Sequence, residues 1–90
     1  MIHVSSKMYE EIARILLDEL RDGTDFYNGK IEYDTEQYYS TLTCTLIIYH
    51  NEATGAISQI VPVWWDYSIC ADGVEDFNDF SWSELTGYLI

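Results

Sequence analysis

The sequence predicts an α+β fold of two layers, α-β-β-β-α, in which a three-stranded antiparallel meander carries both helices on one face. Three observations predict it. Apolar residues recur at three- and four-residue steps near the start and the end of the chain, and they alternate with a period of two between those ends. Short polar segments, too brief for crossovers, join the alternating stretches. Ninety residues support one core, so residues 1–90 are read as a single domain.

Residues 6–22 form the first helix in this reading. Met8, Ile12, Ile15, Leu16 and Leu20 line one side, widened by Tyr9, Ala13 and Leu17, while charged residues cover the rest. Ser5 or Ser6 caps its start, and Gly23 supplies the left-handed residue after its end. Glu10 is placed to meet Arg14 one turn on, and Asp18 to meet Arg21.

The first strand is expected over Lys30 to Asp34, with Asn28-Gly29 ahead of it as a turn or bulge. The strongest β signal is Tyr38 to His50, rich in Thr, Tyr and Ile. Asn51 to Ala56 has the residues of a hairpin loop, with Gly55 free to take positive φ, and Ile57 to Ile69 returns beside the central strand. Pro62 cannot donate to a ladder, so this third strand is an edge or is broken there. Asp72 to Asp79 reads as an acidic loop. A last helix follows Ser81, with Glu84 returning the cap as in a capping box, and Trp82, Leu85, Tyr88 and Leu89 share its inner side.

Strict alternation assigns Leu42, Cys44, Leu46, Ile48, Val61, Val63 and Ile69 to the helix-covered face. The open face then receives Tyr39, Thr41, Thr43, Thr45, Ile47, Tyr49, Ile60, Pro62 and Trp64, rimmed by Glu32, Asp34 and Asp66. Trp65, Phe80 and Trp82 are expected in the core.

Charge restricts the partners. The chain carries 16 acids against 4 bases, a net −12 at pH 7, and from Ile31 to Ile90 it has ten carboxylates and no lysine or arginine. Nucleic-acid binding draws its affinity from cations that displace counterions, so no nucleic acid is expected as a partner. An anionic membrane surface is disfavoured for the same reason, and no apolar run approaches a membrane span. Two cysteines, Cys44 and Cys70, are too few for a disulfide framework, and the first residues do not read as a secretory leader; a cytoplasmic location is the expectation.

Site chemistry is sparse. His3, Cys44, His50 and Cys70 lack the paired spacings of a zinc site, and the Asp72 to Asp79 acids break the EF-hand pattern at its third, sixth and twelfth positions, so no metal or cofactor is expected. Cation or small-molecule binding, with that loop as the ligand source, is the third functional alternative, ahead of enzyme activity. Cys44 and His50 are six residues apart on one strand, about 20 Å, too far for a dyad, whereas Cys70 approaches His50 only in a permissive register. No nucleophile elbow or glycine-rich phosphate loop appears, and no enzyme activity is expected.

What calls for an explanation is the open face. Aromatic rings beside threonines and carboxylates make the mixed surface of protein contacts. Tyr39, Thr41, Thr43, Tyr49, Trp64, Asp66, Glu32 and Asp34 are therefore the expected contact residues. The leading expectation is an acidic protein-binding module of the inhibitor, immunity or nucleic-acid-mimic type, docking on a basic protein surface. The alternative is a structural homodimer through the same face.

Overall fold

The computed structural model describes residues 1–20 and 23–90. Helix α1 spans Ser6–Glu19, strands β1, β2, β3 and β4 span Phe26–Asp34, Tyr38–His50, Ile57–Ala71 and Val74–Glu75, and helix α2 spans Trp82–Leu89. The sheet is antiparallel throughout, in the order β1-β2-β3-β4. The predicted α+β meander is therefore present, extended by one short strand.

α1 forms where the helical period predicts it. Ser5 is the cap, its Oγ accepting from Met8 N at 3.3 Å, and Leu20 N closes the last turn on Leu16 O and Leu17 O. The last two residues of the predicted helix, and the expected Asp18–Arg21 pair, involve positions outside the described residues. Arg14 meets Glu11 at 2.9 Å in place of the predicted Glu10, and the same carboxylate meets Lys7 one turn back at 3.1 Å.

β1 begins four residues earlier than predicted, because Asn28-Gly29 continues the strand instead of turning it. Asn28 Oδ1 accepts from Thr45 Oγ1 across the ladder at 3.0 Å. Tyr27 covers Gly29, so that a Cβ there would sit 2.7 Å from the Tyr27 hydroxyl. The ring occupies the space that a side chain would otherwise fill. β2 and its hairpin loop match the expectation, with Gly55 at φ +76° and Asn51 Oδ1 accepting from Ala53 N and Thr54 N.

The predicted facing of β3 is corrected in its first half. Thr45 pairs with Trp64, but Leu46 pairs with Pro62, which leaves Val63 as the extra residue of a β-bulge. A second bulge at Tyr49/His50 leaves Ser58 unpaired. One extra residue reverses the phase of everything before it. Ile60 is consequently buried opposite Ile48, Val61 lies beside Ile47 on the open face, Pro62 turns to the covered face, and Val63 is exposed. Strict alternation had placed all four on the wrong side.

The acidic loop also holds a hairpin that the sequence reading overlooked. Asp72 and Gly73 both have positive φ, 54° and 77°, the pair of values that a two-residue I′ turn needs. Asp-Gly is the common choice for that turn, and it returns Val74 and Glu75 against Ala71 and Cys70.

The core lies between the covered face and the helices. Leu42, Cys44, Leu46 and Ile69 are fully enclosed with Leu16 and Leu85, and Ile12, Leu20, Ile31, Ile48 and Ile60 surround them. Tyr67 stacks on Phe80 at 4.2 Å, and Phe80 meets both Tyr9 and Trp65, which ties β3 to the helices through rings. Phe80 and Trp82 are half-buried as core partners, whereas Trp65 keeps one side in solvent. Only half of the predicted capping box forms. Ser81 Oγ accepts from Glu84 N at 3.4 Å, but Ser81 N donates to the Tyr9 hydroxyl at 2.9 Å.

Two polar staples close the ends of the molecule. Asp79 accepts from Val4 N at 2.6 Å and pairs with the His3 ring at 2.5 Å, fastening the N-terminal segment to the chain before α2. At the opposite end His50 spans two segments, its ring nitrogens 2.9 Å from Thr24 O and 3.2 Å from Gly55 O.

Candidate functional site

The face opposite the helices is built by alternation. Direct partners in an antiparallel ladder point to the same side, so the register orders the face row by row. Phe26, Ile47 and Val61 form one row; Asn28, Thr45 and Trp64 the next; then Lys30, Thr43 and Asp66; then Glu32, Thr41 and Ser68; and finally Asp34, Tyr39 and Cys70, with Glu75 beside Cys70. Tyr49 and Gln59 extend the apolar end toward the hairpin loop.

All eight predicted contact residues lie on this face: Tyr39, Thr41, Thr43, Tyr49, Trp64, Asp66, Glu32 and Asp34. The rings are in solvent, with Tyr39, Tyr49 and Trp64 exposed by 64%, 51% and 54%. They do not, however, form one cluster. Tyr39 and Tyr49 are ten residues apart on β2, roughly 33 Å, and the row of Trp64 lies about 13 Å from Tyr49 and 20 Å from Tyr39.

The face is instead divided along its length. At the loop end, Phe26, Ile47, Val61, Trp64 and Tyr49 make a patch without a charged side chain. At the other end, Glu32, Asp34, Asp66 and Glu75 surround Thr41, Thr43, Ser68 and Tyr39. Lys30 stands at the boundary and reaches Glu32 on its own strand at 3.3 Å. Sequence reasoning missed Phe26, because the strand was started at Lys30; extending the alternation of Glu32 and Lys30 back through Asn28 finds it.

Other chemistry is not assembled. Cys70 pairs with Tyr39 and His50 with Ile57, so the two stand at opposite ends of the sheet and the register that a dyad needs is not adopted. Cys44 is enclosed in the core, where burial pushes its thiol up to about 11. Both cysteines are free thiols. Among the described residues no three His, Cys, Asp or Glu side chains converge as a metal site, and no helix is long and apolar enough to cross a membrane.

No protein-family model, curated protein or solved structure matches the chain.

Proposed function

We propose that the protein is a small acidic binding module that docks its open sheet face on a basic surface of another protein, acting as an inhibitor, an immunity protein or a nucleic-acid mimic. The observation that carries this reading is the division of that face into an apolar ring-bearing end and a carboxylate end. Carboxylates accelerate encounter with a cationic partner, and desolvated rings such as Trp64 and Phe26 slow its departure. Glu32 and Asp34, alternate residues of one strand, hold two carboxylates about 7 Å apart for the cations of a partner that normally meets phosphates.

Charge favours a foreign partner over a second copy on this face. Two copies packed face to face would each bring Glu32, Asp34 and Asp66 against a chain of net −12, with Lys30 as the one cation of those rows. A cytoplasmic setting is part of the same proposal, since two cysteines are too few for a disulfide framework.

The test is affinity capture from the source cell at low salt, with the wild type beside Trp64→Ala and Glu32→Gln/Asp66→Asn. The expected result is one partner with a basic surface, bound less tightly by Trp64→Ala and with a flattened salt dependence for the carboxylate variant. A partner that is acidic, or one held equally by all three proteins, refutes the proposal.

A further inference from the structure

The free edge of β1 carries a self-complementary charge pattern. In an antiparallel ladder, residues that exchange both backbone hydrogen bonds with one neighbour alternate with residues whose N–H and C=O point the other way. Ile48 N donates to Asp25 O at 2.8 Å, and Thr35 N donates to Tyr38 O at 2.8 Å, at either end of β1. The odd-numbered residues of β1 therefore bond to β2. Phe26, Asn28, Lys30, Glu32 and Asp34 turn their backbone groups outward, where the sheet has no further strand among the described residues.

The opposite edge of the sheet carries devices against pairing that the strand β1 itself lacks, although α1 packs beside β1. β3 carries Pro62 opposite Leu46, whose own backbone bonds run to β1, so the missing N–H falls on the outer side. Two bulges distort the same strand, and β4 covers it at Cys70 and Ala71. Proline, bulges and a covering segment are the usual devices against edge pairing. β1 has nine regular residues, no proline and no bulge. Its single lysine ordinarily serves as such a device, but here it is followed on the same face by Glu32.

We propose that β1 pairs antiparallel with β1 of a second copy, centred on Ile31, to make one continuous sheet across a two-fold axis. The outward groups limit the register to pairs of even-numbered residues, and charge selects among those. Centring on Lys30 opposes two lysines, and centring on Glu32 opposes two glutamates. Centring on Ile31 sets Lys30 opposite the partner's Glu32, twice by symmetry, with Asn28 opposite the partner's Asp34 and no like charges across the junction. The axis stands perpendicular to the sheet, so both open faces lie on one side and remain available. This dimer is independent of the proposed docking on a basic surface.

Sedimentation across a concentration series, paired with amide hydrogen exchange, tests the inference. The expected species at high concentration has twice the 10.5 kDa chain mass. The amides of Asn28, Lys30, Glu32 and Asp34 gain protection as it forms. Glu32→Pro removes one outward N–H that the intrachain ladder does not use, and it is expected to stay folded and become monomeric. Lys30→Glu weakens association about tenfold by opposing like charges at both symmetric pairs, and Lys30→Glu/Glu32→Lys restores it. The double exchange keeps the test decisive if the proline variant unfolds. A 10.5 kDa species at every concentration overturns the inference. So does a dimer in which those four amides stay unprotected, or protection that appears only when a foreign peptide is added.

Discussion

Ile60 and Val63 are three residues apart on one strand, and the bulge between Thr45 and Leu46 exchanges the faces that strict alternation gives them. Ile60 is 5% exposed and faces Ile48 in the core, whereas Val63 is 61% exposed. Ile60→Ala removes three carbons from an enclosed site, about 2.4 kcal/mol of transfer free energy at roughly 0.8 kcal/mol per carbon. The cavity left behind raises the loss to about 3 kcal/mol, within the range for such truncations. Val63→Ala removes two carbons that are already largely hydrated, so it costs about 0.6 kcal/mol or less. A domain of this size has on the order of 5–13 kcal/mol of total stability, so the first change is a large fraction of it and the second is minor. Urea unfolding followed by tryptophan fluorescence measures both, with an unchanged slope identifying a pure stability effect. Equal losses would refute the bulge, and a larger loss for Val63→Ala would restore strict alternation along the strand.

Two further outcomes follow from the titrating groups. The Val4 N–H and the His3 ring hold the Asp79 carboxyl below its ordinary value of 3.8. A carboxyl depressed in the folded state stabilises the protein at pH values above its unfolded pKa, and that contribution disappears as pH falls through the lower folded one. Asp79→Asn should therefore flatten the fall in urea midpoint below about pH 4 while leaving the remaining acid limb, and an unaltered limb would contradict the N-terminal staple. Cys44, with its thiol raised to about 11, should resist alkylation at pH 8 until the protein unfolds, while half-buried Cys70 is modified first. Mass spectrometry of the native protein checks this, and stoichiometric labelling of Cys44 in native buffer would contradict its enclosure.

Much of the architecture was legible because local chemistry and long-range packing agree in it. The apolar stripe from Met8 to Leu20 has one period, one cap and one buried side, so no other element competes for it. The boundaries of Tyr38–His50 were read directly, since β-branched and aromatic residues run between two polar turns. The eight expected contact residues lie on the open face because each stands where alternation is unbroken: on β2, on β1 after Lys30, or on β3 after the bulge. Ile60 and Pro62, assigned to the same face, precede the bulge and turn to the covered side.

The sequence by itself determined the helix–meander–helix order, the acidity and the parity of the long central strand, since each depends on residues within a few positions of one another. Only the tertiary structure decided where β3 changes phase, that Asn28-Gly29 stays extended under the Tyr27 ring, and that the open face divides into an apolar end and a carboxylate end. A bulge leaves no mark on composition: Val63 is exposed because Leu46 pairs with Pro62, and that pairing is chosen by the whole ladder and the core beneath it.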